Sequence, residues 1–190
     1  MASLEQHIRE ESEELERIRN DSNYKGYVLK RTWLAQNFAP IAKHLPVKPK
    51  ILEVGLGTGE NLLAIKQENP RIGLENCVGT CLQLLPEHDS LIASGLQIVP
   101  GMLAEFLPKE WDHAFDVVML SLVLCWADDW DGAIQRLGEV TKVGGYLLAF
   151  EEPRIIRQVE RDLSHTFNIH KPALSFKEGF HGTLMQKVSD

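Results

Sequence analysis

The chain opens with two stretches whose apolar residues recur at helical spacing. In the first twenty residues Leu4, Ile8, Leu15 and Ile18 fall on one stripe while Glu and Arg fill the rest, which is the pattern of an amphipathic helix. Asp21, Ser22 and Asn23 break it. A second helix is predicted from about Tyr27 to His44, with Val28, Trp33, Leu34, Phe38 and Ile41 available for burial. Pro40 lies inside that stretch and is expected to kink or shorten it. Pro46 and Pro49 then mark an extended connector.

From residue 50 onward short apolar runs alternate with helical stretches. Ile51–Val54, Arg71–Glu75, Gln97–Val99, Phe115–Ser121 and Tyr146–Phe150 read as strands. Glu60–Glu68, Cys77–Ala93, Asp129–Val140 and Arg154–His165 read as helices, with Pro86 predicting a break in the second. Ala173–Lys177 and Thr183–Val188 close the pattern as two strands joined at residues 178–182. Such alternation predicts an α/β fold: a seven-stranded, mostly parallel sheet with helices on both faces and a C-terminal antiparallel hairpin strand. We read residues 1–190 as one domain, a helical cap over 1–46 followed by an α/β core over 47–190.

Composition narrows the function more than the fold. The 190 residues are 44% hydrophobic and 25% charged, ordinary for a globular protein. No run reaches the roughly 18 apolar residues of a membrane span, and the charged N-terminus lacks the apolar core of a secretion signal. A cytoplasmic protein with no membrane partner is the expectation. A net charge of −7 disfavours a broad nucleic-acid footprint, so a small-molecule partner is expected. The three cysteines, Cys77, Cys81 and Cys125, complete neither a disulfide framework nor a metal site, and no metal is expected.

The most informative segment is Ile51-Leu-Glu-Val-Gly-Leu-Gly-Thr-Gly-Glu60. An apolar run enters Gly55, Gly57 and Gly59, and a helix follows. Glycine lets a backbone turn sharply and approach a ligand with no Cβ in the way, so this reads as a cofactor-binding turn in an open α/β sheet. A dinucleotide fingerprint needs another glycine where Glu60 stands, which argues against a nicotinamide oxidoreductase. Glu53 and Glu60 place two negative charges around the turn. They suit a cationic amino-acid group better than a pyrophosphate, and S-adenosylmethionine carries such a group.

With this turn and four further segments, the sequence resembles the class I S-adenosylmethionine-dependent methyltransferases, a family with a Rossmann-like core. The resemblance covers residues 47–150 well and the remainder loosely. In Arg71-Ile-Gly-Leu-Glu75, the resemblance implies a strand whose final acid, Glu75, holds the cofactor ribose, with Asn76 beside it. Glu75 lies 16 positions after Gly59, near the usual spacing of about 20. In Gly95–Pro108 it implies adenine contacts at Met102 and Leu103, although Met102 stands where the family usually has an aspartate. Phe115–Trp126 is similar to the fourth strand and its turn, which brings Ser121 and Leu122 to the cofactor; Cys125 replaces a frequent histidine. Val140–Phe150 resembles the glycine turn before strand five, with Val143 for a frequent proline.

Ligands of open parallel sheets bind at the carboxyl ends of the strands. That rule puts Trp126 and Glu151 near the acceptor, and the hairpin turn brings back His181 as the candidate base, since imidazole accepts a proton near neutral pH. His113, before the fourth strand, is expected at the opposite end as a surface residue. The N-terminal helix can cover the cofactor as a lid or seat a second copy in a homodimer, with Tyr24, Tyr27 and Arg31 near the pocket. The predicted activity is methyl transfer from S-adenosylmethionine to a small organic acceptor at O, N or C, leaving S-adenosylhomocysteine. The alternatives are a non-catalytic subunit acting through a protein partner and an enzyme that uses the cofactor for another reaction.

Overall fold

The computed structural model describes residues 4–20, 33–175 and 181–190. Two helices precede the sheet, α1 over Leu4–Asn20 and α2 over Trp33–Ala42. Strand β1 (Ile51–Val54) leads through the glycine turn into α3 (Glu60–Glu68). Next come β2 (Cys77–Cys81), α4 (His88–Ala93), β3 (Gln97–Pro100), β4 (Phe115–Ser121) and α5 (Trp130–Val140). Strand β5 (Thr141–Glu151), α6 (Pro153–Asp162), β6 (Phe167–Ser175) and β7 (His181–Lys187) complete the chain.

The strands form one seven-stranded sheet in the order β3-β2-β1-β4-β5-β7-β6. The first five pair in parallel, and β7 runs antiparallel between β5 and β6. The order reverses at β1 and β4, which makes their carboxyl ends the switch point where such sheets bind ligands. Alternation along the strands sends Ile51, Val117, Met119 and Leu148 to one face, under Leu34 and Phe38 of α2 and Leu62 and Ile65 of α3. Leu52, Val54, Val118, Leu120 and Leu147 go to the other, under Ile134 and Leu137 of α5 and Ile156 and Val159 of α6. Burial on both faces explains the near-continuous apolar runs of β1 and β4, interrupted by Glu53 and Asp116. Each fully buried Leu or Ile contributes roughly 1.5–3 kcal/mol of transfer free energy.

Pro40 is accommodated within the last turn of α2. Pro86 lies in the irregular stretch between β2 and α4, which begins only at His88. Asp129 caps α5 by accepting from the Gly132 amide at 3.0 Å. Two expectations fail. Arg71–Glu75 is not a strand: Leu74–Asn76 forms a 3-10 turn, and the second strand is Cys77–Cys81, inside the stretch expected to be helical. β6 also starts six residues earlier than predicted, at Phe167 rather than Ala173. Among the described residues no helix is long and apolar enough to cross a membrane.

Candidate cofactor and acceptor site

The turn after β1 is built from three left-handed glycines, Gly55, Gly57 and Gly59, with φ of 70°, 55° and 86°. Packing requires two of them independently. A Cβ on Gly55 would lie 2.2 Å from Val123 Cγ2, and one on Gly59 would lie 2.4 Å from Leu91 Cδ1. The turn is pinned from β2 and α4. Thr80 Oγ1 accepts from the Gly55 amide at 3.2 Å, and the Thr80 carbonyl accepts from the Leu56 amide at 2.6 Å. His88 is fully buried. Its Nδ1 accepts from the Leu85 amide at 3.2 Å, which assigns the proton to Nε2, and Nε2 donates to the Gly57 carbonyl at 2.6 Å. Sequence reasoning missed both Thr80 and His88. Thr80 becomes visible once β2 is placed correctly, whereas His88 acts across 31 residues and leaves no local signal.

Glu53 is fully buried and accepts from Asn61 Nδ2 at 2.7 Å, tying β1 to the first turn of α3. The carboxylate therefore sits beneath the turn. On the neighbouring strand Ser121 is 7% exposed, and its Oγ has no hydrogen-bond partner among the described residues. A buried hydroxyl without a partner costs about 1–3 kcal/mol, which a bound polar ligand at the switch point would offset. Leu122 follows with φ of 57°, an unfavourable backbone for a γ-branched residue. Its amide donates to the Phe150 carbonyl at 2.9 Å. Beyond it the 3-10 turn Leu124–Trp126 carries a half-buried Trp126 and an exposed Cys125.

Glu151 was expected to contact the substrate, and the structure gives it another task. It is fully buried, and its Oε1 accepts from the Val123 amide at 2.5 Å and the Leu124 amide at 3.0 Å. It thus braces the loop after β4. Its register partner on β7 is His181, so the closing hairpin does return this histidine to the carboxyl end. His181 is partly exposed, and its buried Nδ1 has no hydrogen-bond partner among the described residues. After β3, the Met102 amide donates to the Cys81 carbonyl at 3.2 Å, and Leu103 is buried. Helix α1 arrives over the same edge: Gln83 Nε2 donates to Ser12 Oγ, and His7 Nε2 lies 3.7 Å from Asp128 Oδ2. The expectation for Tyr24, Tyr27 and Arg31 lies outside the described residues, as do the side chains of Leu4, Leu15 and Ile18.

Glu75 and Asn76 require correction as cofactor ligands. Ile51 pairs with Cys77 at the amino ends of β1 and β2, so Glu75 precedes β2 and lies at the end of the sheet opposite the glycine turn. There it lines a small cleft with Lys50, Gln97 and Trp111. The carboxyl end of β2 is instead Cys81-Leu82-Gln83, without a carboxylate. His113 falls at the amino end as expected, half exposed, with Nδ1 3.3 Å from Asp190 Oδ1.

The residues at the carboxyl edge fit a nucleoside-bearing amino acid: a glycine turn, buried Glu53, the orphan Ser121 hydroxyl and apolar Met102 and Leu103. The family profile described as Methyltransferase domain matches residues 24–166. No curated protein matches the chain in sequence. Among solved structures, the [4+2]-cyclase SpnF is similar with TM-score 0.62 and 15% identity over 82% of this chain and 81% of its own. A SAM-dependent methyltransferase from Aquifex aeolicus gives 0.59 and 14% over 92% and 98%. The YcgJ protein from Bacillus subtilis gives 0.58 and 13% over 82% and 97%. At these identities the structural likeness establishes the fold, while the profile covers most of the chain. The chain belongs to the methyltransferase-domain family and is an S-adenosylmethionine-dependent methyltransferase of the class I fold.

Proposed function

We propose that this enzyme methylates a small organic acceptor at O, N or C, bound at the carboxyl edge beyond β4 and β5. When bound, S-adenosylmethionine supplies an electrophilic methyl group on a sulfonium. The chain's own work is then to align the acceptor and exclude water. Gly55, Gly57 and Gly59 give the amino-acid end close backbone approach, and Ser121 Oγ supplies a hydrogen bond. Met102 and Leu103 offer an apolar surface for the purine. Trp126 forms a wall for the acceptor, and His181 Nδ1 takes a proton where the acceptor must lose one.

The observation that carries this reading is Ser121, a buried hydroxyl left without a partner beside a braced glycine turn. Calorimetric titration with S-adenosylhomocysteine tests it: saturable binding at one site is expected, and no binding would contradict it. Incubation with S-adenosylmethionine and a panel of small amines, phenols and carboxylic acids should then yield S-adenosylhomocysteine with at least one acceptor.

A second reading has one observation in its favour. The tips of β2 and β3 carry Cys81 and Met102 where the family usually has acids, and the SpnF neighbour of the same fold is a [4+2]-cyclase. Tight cofactor binding without methyl transfer to any acceptor would support use of the cofactor in another reaction.

A further inference from the structure

The nucleoside half of the site lacks the acid that the end of β2 would bring, so its polar contacts must come from elsewhere. Among the described residues two side chains meet the requirement, and both involve α1. The first is Gln83, two residues beyond β2. Ser12 Oγ donates its only proton to the Ile8 carbonyl at 2.8 Å, so toward Gln83 it can only accept. Gln83 must therefore present its amide nitrogen to Ser12, as it does. That fixes the amide orientation and leaves Oε1 as the acceptor for a ligand hydroxyl.

The second is His7. It is 6% exposed, and neither ring nitrogen has a hydrogen-bond partner among the described residues. Asp128 Oδ2 lies 3.7 Å from Nε2, beyond hydrogen-bond distance. Asp128 is itself held to the loop after β3, because its amide donates to Glu105 Oε1 at 3.1 Å. Helix α1 thus spans from the tip of β2 to the loops after β3 and β4, over the ground assigned to the nucleoside. A buried imidazole with two unpaired nitrogens costs stability unless something pairs it.

We infer that the nucleoside's polar contacts are made from the α1 side, by His7 and by a Gln83 amide that Ser12 orients, in place of a carboxylate at the end of β2. The inference rests on the methyl-donor reading above. Gln83 Oε1 accepts from a ribose hydroxyl, and His7 exchanges one hydrogen bond with the nucleoside. Binding and seating of α1 are then coupled, since the helix carries one contact and orients the other.

The test is calorimetric titration of the full chain with S-adenosylhomocysteine, alongside melting temperatures, for the parent, His7→Phe, Gln83→Leu and Ser12→Ala. His7→Phe replaces an unpaired polar ring by an apolar one of similar size, so its melting temperature should hold or rise while affinity falls roughly 3- to 10-fold. Gln83→Leu, at a partly exposed loop position, should weaken binding by a similar factor, and Ser12→Ala by about 2-fold. A gain in stability with a loss of affinity is what a merely packed histidine would not give. If His7→Phe or Gln83→Leu binds within twofold of a parent that itself binds, the inference is overturned. A parent that does not bind removes the methyl-donor reading and this inference with it.

Discussion

The two ends of the sheet solve the same problem differently. At the amino end, buried polar groups are paired. Lys187 is 4% exposed, and its Nζ donates to the carbonyls of Gly138 and Thr141 and to Asp190. Asp116 accepts from Lys142 Nζ and from the Lys50 amide, both at 2.8 Å. At the carboxyl end Ser121 Oγ, both His7 nitrogens and His181 Nδ1 lack hydrogen-bond partners among the described residues. Folding alone favours the first arrangement. The second makes sense where a ligand supplies the missing hydrogen bonds.

The contrast breaks most visibly at Gly55. Gly55→Ala combines a positive φ with a Cβ 2.2 Å from Val123 and should cost about 3 kcal/mol. Denaturant unfolding reads the stability, and S-adenosylhomocysteine binding should fall more than tenfold. At the other end, Lys187→Met keeps apolar bulk but strands two carbonyls. A loss of about 2 kcal/mol is expected, with cofactor affinity unchanged in the same titration.

Alkali sharpens the same comparison. Burial, aided by Glu53 and Glu75, pushes the Cys77 thiol from 9.0 up to about 12. Because the folded-state value is raised, its contribution is fully present below pH 9.0 and is lost as pH rises toward 12. By pH 10.5 the loss amounts to about 2 kcal/mol. Unfolding curves for Cys77→Ala should lack that part of the alkaline slope.

Smaller effects belong to the edges of the site. Thr80→Val removes the hydroxyl that holds the Gly55 amide and should cost about 1 kcal/mol, with a 3- to 5-fold weaker cofactor titration. Ser121→Ala should leave the melting temperature unchanged or slightly higher while weakening binding by about 2- to 5-fold. Among the described residues the paired amino end offers no counterpart to such a variant.

Much of this was legible in the sequence because it depends on local pattern. The runs at Ile51–Val54 and Phe115–Ser121 are mostly apolar, broken by Glu53, Asp116 and Ser121, since both faces of their strands are covered. The glycine turn announces itself by composition. The second strand was misplaced because Arg71-Ile-Gly-Leu-Glu and Cys77-Val-Gly-Thr-Cys are both short, apolar and centred on glycine. The carboxylate favoured the wrong one, whereas β-branched Val78 and Thr80 mark the true strand. Gly79 confirms it, since a Cβ there would sit 2.8 Å from Leu56 of the turn. The braces escaped notice for another reason. Gln83 meets Ser12 across 71 residues, and Glu151 reaches Val123 across 28, so the chain is far from itself in sequence where these contacts form.

The central claim is that the methyl donor lies on the unpaired end of the sheet, across the glycine turn. Amide resonances followed during titration with S-adenosylhomocysteine test it most directly. Gly55, Gly57, Ser121 and the amides of α1 should shift together and saturate, while Lys187, Thr141 and Glu75 stay in place. Saturable shifts confined to the amino end, around Lys50, Glu75 and Gln97, would contradict it.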